Sequence, residues 1–151
     1  MPSCAARARD LVRRGFTLVE ILIDVVILGI LAAIVVPQFT NATQLAATTV
    51  SYDQLMKVRK AVDLYYWKEA NQFPPVQAGN GRPPWGPLIG QNYLHAPPVN
   101  HYVGSAASKV VVLGNGPDAA YQTTHGWIYN PATGEIWAGG FDANDEPLPH
   151  P

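Results

Sequence analysis

Two carboxylic acids, Glu20 and Asp24, lie inside an otherwise apolar run near the start of the chain. On membrane-insertion scales an acid near a helix centre costs about 2.5–3.5 kcal/mol, and Glu20, one turn from the end of the run, costs less. A carboxylate kept in such a place needs a partner, because burying an unpaired charge is unfavourable. Their spacing of four residues puts both acids on one face of a helix, where the chemistry they offer is charge pairing.

The other polar side chains form weaker patterns. Asp142, Asn144 and Glu146 alternate like the first ligands of a calcium loop, but Pro147 replaces the glycine of such a loop and no later acid closes it. We expect no cofactor, with calcium at these residues as the alternative to a solvated acidic terminus. The four histidines lack zinc spacing, and a single cysteine, Cys4, excludes an internal disulfide. The sequence contains no phosphate loop or nucleophile elbow and predicts no enzyme.

The two acids belong to an apolar segment, residues 16–36, that is long enough to cross a membrane. At about 1.5 Å rise per residue it forms a helix of about 31 Å, against a hydrocarbon core of about 30 Å. A buried core helix is disfavoured because no second segment is apolar enough to surround it, and a secretory signal has a shorter apolar part. A plain membrane anchor leaves the acids unexplained. Four arginines precede the segment and predict a cytoplasmic N-terminus: Arg7, Arg9, Arg13 and Arg14.

The residues around Glu20 resemble a known processing signal. The motif RGFTLVE at residues 14–20 is similar to the class III signal of type IV pilins and type II secretion pseudopilins, and GILAAIVVPQF at residues 29–39 is similar to the end of their apolar helix. The resemblance covers about the first third of the chain. It combines a basic leader, Gly, Phe, a Glu shortly afterwards and an apolar helix with Pro at its far end.

This resemblance implies processing followed by assembly. A prepilin peptidase would cut between Gly15 and Phe16 and N-methylate Phe16, and the freed amine would meet Glu20 of a neighbouring subunit in a filament. The implied partners are that peptidase, an inner-membrane assembly platform with its ATPase, further copies of the chain, and minor pilins or pseudopilins. The implied location is the bacterial inner membrane, with the N-terminus in the cytoplasm, and then a periplasmic or surface filament.

Three positions within the apolar helix carry further expectations. The family has an apolar residue in place of Asp24, so this acid is either a second residue that sets subunit register or a polar residue tolerated near the cytoplasmic leaflet. Pro37 removes a helical hydrogen-bond donor and Gly29 weakens the helix, so a kink is expected there.

Beyond residue 37, apolar side chains recur at helical spacing, which predicts an amphipathic continuation of the helix to about residue 70. Two ion pairs are expected on its wetter side, Asp53–Lys57 and Arg59–Asp63. The apolar face contains Leu45, Thr48, Tyr52, Leu55, Val58, Val62 and Tyr65.

Pro, Gly and Asn dominate residues 72–108, which we expect to form an extended loop with little regular structure. The β-branched run at 109–113, and segments 126–130 and 134–138 around a short loop, predict three antiparallel strands on the apolar helix face. The expected fold class is α+β. It combines a long N-terminal helix, apolar in its first half and amphipathic in its second, with a small antiparallel sheet.

The predicted organisation is a leader at 1–15, a membrane and filament-core helix at 16–37, an amphipathic helix at 38–71, and a loop, sheet and tail at 72–151. The resemblance favours a structural filament subunit, first a type II secretion pseudopilin and second a type IV pilin of a surface pilus for adhesion, motility or DNA uptake. A membrane-anchored periplasmic binding protein or enzyme is a third interpretation. The net charge of −1 gives no expectation of nucleic-acid binding.

Overall fold

The computed structural model describes residues 15–150, apart from the side chains of Pro37 and Thr40. The predicted leader, with its cysteine and its four arginines, therefore lies outside the described residues except for Gly15. The chain divides into two compact units, one ending at Thr40 and the other beginning at Asn41.

One long helix, α1 (Leu18–Lys68), contributes to both units. In the first unit the large apolar side chains from Phe16 to Val36 are all exposed, with 43–83% of each accessible. The most apolar window of α1, 18 residues long, has a mean hydropathy of 2.8, and the helix has the length and composition to cross a membrane. Because a helix satisfies its own backbone hydrogen bonds, such a surface suits lipid or other apolar helices.

The predicted extent of the helix is confirmed to within two residues at its end. After Lys68, Ala70 and Asn71 take positive φ angles of 51° and 62°, and the Asn71 amide donates to the Tyr66 carbonyl at 3.0 Å. This left-handed turn stops the helix before the prolines at 74 and 75. Helix α1 continues across residues 29 and 37. The kink that the sequence predicts at these residues stays a prediction.

The second unit contains a four-stranded mixed sheet, whose strands in spatial order are β1 (Gly79–Asn80), β2 (Val110–Leu113), β3 (Trp127–Tyr129) and β4 (Ile136–Ala138). The predicted hairpin between β3 and β4 is confirmed, because these strands pair antiparallel. However, β2 runs parallel to β3, with Val111 opposite Trp127, so the α+β class is confirmed while the wholly antiparallel sheet is wrong.

The connection between β2 and β3 explains the parallel pairing. Residues 114–126 are numerous enough to carry the chain back to the starting end of the sheet, as parallel neighbours require. Asp118 holds this connection in place: its Oδ2 accepts hydrogen bonds from Gln122 Nε2 and from the Gly140 amide, both at 2.8 Å. Its Oδ1 lies 3.2 Å from His125 Nε2.

Most of residues 72–108 lacks helix or strand, as expected, but the segment also contains short ordered elements that the sequence did not predict. Besides β1, this segment contains a 3-10 helix at Pro83–Trp85 and a short helix, α2, at Gly86–Gly90. Prolines near their first positions suit helix starts, where the missing amide hydrogen costs nothing. Trp85 and Leu88 are fully buried, so the hydrophobic effect orders a segment whose composition alone predicts a loop.

The core of the second unit lies between α1 and the sheet. The predicted apolar face is confirmed from Leu55 to Val62, which are buried, whereas Leu45 and Tyr52 are exposed. Trp127 contacts Trp85 edge to face at 6.2 Å between ring centroids. The remaining members of the core are Val58, Ala61, Val76, Leu88, Ile89, Tyr102, Val111, Tyr129, Ile136, Ala138 and Phe141.

The two expected ion pairs on α1 have different outcomes. Lys57 and Asp53 pair at 2.6 Å on the exposed surface, as predicted. Arg59 does not pair with Asp63 but with Asp145, through Nη1–Oδ2 at 2.5 Å and Nη2–Oδ1 at 2.8 Å. Arg59 Nε and Nη2 also donate to the Ile136 carbonyl at 3.3 and 3.2 Å. The guanidinium thus ties the C-terminal segment and β4 to the helix.

We expect Arg59→Met to lower the free energy of unfolding by about 2 kcal/mol, because it leaves the Asp145 carboxylate and a strand carbonyl without their charged donor. Urea denaturation of the chain in detergent, followed by tryptophan fluorescence, measures this change. Lys57→Met is the matched control, since it breaks an exposed pair worth about 0.3–0.5 kcal/mol. Equal effects of the two substitutions would show that the Arg59 contacts add nothing to stability.

Tyr129 gives the second unit a sensitivity to alkali. Its side chain is fully buried and its hydroxyl donates to the Pro74 carbonyl at 2.8 Å. Burial, with a smaller contribution from Tyr65, raises the pKa of Tyr129 above its usual value near 10. In the unfolded chain the phenol ionises near pH 10, whereas in the folded chain it stays protonated to higher pH. Its stabilisation is therefore complete below pH 10 and is lost as the pH rises towards the folded pKa.

We expect the free energy of unfolding to fall above pH 10 with a slope from this group of up to about 1.4 kcal/mol per pH unit. Tyr129→Phe removes that slope and costs about 1 kcal/mol at neutral pH through the lost hydrogen bond. Urea titrations between pH 8 and pH 11.5 compare the two chains. Tyr52→Phe, at an exposed position on α1, serves as the control and should leave the slope unchanged. An unaltered slope in Tyr129→Phe would contradict the assignment.

Candidate processing and assembly site

The start of α1 brings together the residues that the sequence singles out for processing and assembly. Gly15 and Phe16 precede the helix, and Phe16 is 73% exposed. A Cβ atom added to Gly15 would meet nothing within 4 Å among residues 15–150. The fold of this chain therefore gives no steric reason for glycine at this position, and the demand for it is expected to come from another molecule.

Thr17 and Glu20 form a reciprocal cap at the first turn of α1. The Glu20 amide donates to Thr17 Oγ1 at 3.2 Å, and the Thr17 amide donates to Glu20 Oε2 at 3.5 Å. This is a capping box, in which an N-cap threonine and the third helical residue satisfy each other's free amides. The Thr-x-x-Glu spacing is visible in the sequence, but sequence reasoning assigned Glu20 only an intermolecular partner and missed Thr17.

The cap holds the Glu20 carboxylate beside the positive end of the helix dipole, and the Gly15–Phe16 bond lies one residue before the N-cap threonine in the chain. Its second oxygen, Oε1, accepts no hydrogen bond from residues 15–150. One carboxylate can thus cap its own helix through Oε2 and receive a further donor through Oε1. Asp24 lies one turn further along the exposed part of α1, and its two interpretations stay open.

The three calcium candidates lie in a tight turn near the C-terminus. Asp142 Oδ1 accepts hydrogen bonds from the amides of Asn144 at 2.8 Å and Glu146 at 2.9 Å. Asp145, which the sequence did not single out, is the acid of this turn that pairs with Arg59. Within residues 15–150, no group of three or more His, Cys, Asp or Glu side chains is arranged to hold a metal ion. Calcium binding at Asp142, Asn144 and Glu146 stays a prediction.

A long helix with an apolar first part, a small α+β unit that includes its second part, and a Gly-Phe bond shortly before a capped glutamate are features that resemble pilin-like proteins. Residues 11–36 match the family model described as the prokaryotic N-terminal methylation motif. The match contains Gly15, Phe16 and both acids of the apolar run, and it confirms the resemblance to the pilin-like family.

Several relatives carry the name "Type II secretion system core protein G". The chain is 49% identical to that of Pseudomonas aeruginosa over 51 residues, covering 34% of this chain and 36% of the relative. It is 34% identical to that of Pectobacterium carotovorum over 67 residues, or 44% and 42% of the two chains. It is 31% identical to that of Dickeya chrysanthemi over 84 residues, or 54% of each chain. The chain thus spans about half of these relatives' length or less, and no solved structure matches it.

Proposed function

We propose that this chain is a structural subunit of a type IV-like filament, a pseudopilin of a type II secretion system. The observation that carries the proposal is the uncovered apolar surface of residues 16–36, which begins at a Gly-Phe bond and a capped glutamate inside a methylation motif. The similarity to proteins named as secretion core components supports the secretion system over a surface pilus.

The apolar surface determines where the chain resides before and after assembly. Fifteen large apolar side chains between Phe16 and Val36 are exposed, and water is a poor solvent for a contiguous patch of this kind. Lipid of the inner membrane covers it in the free subunit, with the arginines of the leader on the cytoplasmic side. In the filament, the same surface of other copies replaces the lipid.

The processing step creates the charge that Glu20 needs. Hydrolysis of the Gly15–Phe16 peptide bond releases the leader with a carboxylate on Gly15 and leaves an amine on Phe16. That amine, N-methylated and still cationic, is the donor for Oε1 of a neighbour's Glu20, the oxygen that accepts no hydrogen bond from residues 15–150. A carboxylate buried among apolar helices is then compensated, and the pair sets how far one subunit rises above the next.

The partners follow from these steps. A prepilin peptidase cuts and methylates the chain, an inner-membrane platform with its ATPase extracts the helix from the bilayer, and other pseudopilins join the filament. The second unit remains on the periplasmic side. The chain acts by packing and charge pairing, so its role in secretion is structural rather than enzymatic.

Mass spectrometry of the protein purified from cells that contain a prepilin peptidase tests the proposal. We expect the mature chain to begin at Phe16 with one added methyl group, and to retain residues 1–15 in cells with an inactivated peptidase. Filaments sheared from the peptidase-positive cells should consist of the mature form. Filaments built from chains that retain the leader would contradict the proposed function.

A further inference from the structure

One edge of the sheet carries an acidic groove. The groove has a volume of about 310 Å³ and lies between α1 and the β3–β4 turn. Arg59 lines it, but its charge is balanced by Asp145. Asp63 and Glu135, both exposed, therefore set the sign of the groove, and Thr133 Oγ1 donates to Glu135 Oε2 at 2.8 Å. The remaining lining residues are Val62, Phe73, Thr133, Gly134, Ile136 and Trp137.

The opposite edge carries a groove of the other sign. It has a volume of about 510 Å³ and is lined by Asn80 of β1 and by Lys109, which directly precedes β2. Lys109 is exposed, and no acidic residue lines the groove. The sheet order places β1 and β4 at its two edges, so the basic and acidic grooves lie on different sides of the same unit.

We propose that these two grooves form the contact between neighbouring copies of this chain, with the Lys109 edge of one copy seated on the Glu135 edge of the next. The inference rests on the proposed function. Copies whose N-terminal helices point the same way along a filament meet through unlike surfaces, and a head-to-tail contact that does not close on itself generates a helical array.

The charges also disfavour contacts between two copies of the same edge. Two acidic edges repel each other, as do two basic edges, so only the unlike pairing is attractive. The partner of each charged edge is thus the oppositely charged edge of a second copy. Because the charges are exposed, the contact fixes orientation and weakens as salt shortens the Debye length from about 8 Å at physiological ionic strength.

A cysteine pair tests this contact in the full chain. The natural sequence has one cysteine, Cys4, which the proposed cleavage removes, so introduced thiols are the only ones in the mature subunit. Filaments of the double variant Ser105→Cys with Thr133→Cys, two exposed residues that line the two grooves, keep both Lys109 and Glu135; they are treated with a short bis-maleimide and separated by denaturing electrophoresis. We expect a ladder of oligomers from the double variant, dimers only from a mixture of the two single variants, and monomers from each single variant alone.

The outcomes separate this inference from the proposed function. Absence of filaments from the unsubstituted chain in a cell with a complete secretion system contradicts the proposed function. Filaments of the double cysteine variant without a ladder, or cross-linked dimers from Ser105→Cys alone, overturn the edge-to-edge contact and leave the proposed function standing.

Charge reversal provides a second measurement that does not depend on cross-linking. Lys109→Glu and Glu135→Lys are each expected to reduce the yield of sheared filaments about tenfold, and the two together in one chain to restore it. Lys60→Glu, an exposed lysine on α1 outside both grooves, is the matched control and should leave the yield unchanged. Failure of the combined variant to exceed the single variants contradicts the contact.

Discussion

Replacing Glu20 by glutamine is expected to abolish filament assembly while leaving the start of α1 intact. The amide oxygen of glutamine can still accept from the Thr17 amide, so the capping box survives. What is lost is the negative charge that answers the neighbouring amine at Phe16. Removing one partner of a buried ion pair costs about 3 kcal/mol or more, which is a factor of over one hundred in the equilibrium for adding each subunit.

Electron microscopy and the yield of sheared filaments measure the effect of Glu20→Gln, with immunoblots to show that the subunit is present, cleaved and in the membrane. Asp53→Asn is the control, because it removes a carboxylate from an exposed ion pair on the same helix and should assemble normally. Glutamine variants that form filaments in normal amounts would show that the charge of Glu20 has no part in assembly.

The same assay decides between the two interpretations of Asp24. If this acid sets the register of subunits, Asp24→Val blocks assembly as Glu20→Gln does. If it is a tolerated polar residue, Asp24→Val assembles at least as well as the natural chain, because an apolar side chain suits the filament interior better. Asp24 lies one helical turn beyond Glu20 on the same face. The result of Asp24→Val therefore shows whether a second acid is needed near the Phe16 amine of the neighbouring subunit.

Replacing Gly15 by valine is expected to block cleavage, so that all of the protein in the cell retains residues 1–15. The part of the chain that the structure describes has room for a side chain at this position, since an added Cβ meets none of its atoms within 4 Å. Any loss of cleavage therefore arises from the fit of the bond into the peptidase, where a branched side chain beside the bond hinders access. Without cleavage no amine forms at Phe16, and assembly stops as well.

Intact-mass measurement separates the leader-containing chain from the mature form. Gly29→Val is the matched control for Gly15→Val: an added Cβ at Gly29 also meets nothing within 4 Å, and this residue lies well away from the bond that is cut. The Gly29 variant should be cleaved as the natural chain is. Complete processing of Gly15→Val, or equal loss of processing in both variants, would contradict the assignment of the cleavage site.

Features that depend on neighbours along the chain were determined by the sequence alone. Spacing over a few residues is enough to predict the apolar run with its two acids, the amphipathic face from Leu55 to Val62 and the β3–β4 hairpin. The reason is that the periodicities of helices and hairpins are local. The Thr17–Glu20 cap is local as well: the Thr-x-x-Glu spacing is its signal, although the cap was not predicted from it.

Features that depend on which distant side chains meet were decided by the tertiary structure. Three features depend on contacts between segments that are far apart in the chain. Arg59 pairs with Asp145 rather than with Asp63, and β2 lies parallel to β3. The short helices around Trp85 are ordered by the burial of this side chain in the core. Periodicity tells which face of α1 is buried but carries no information on what covers it. That choice follows from how Trp85, Trp127 and their neighbours fill one core volume, because close packing admits few arrangements of side chains this large.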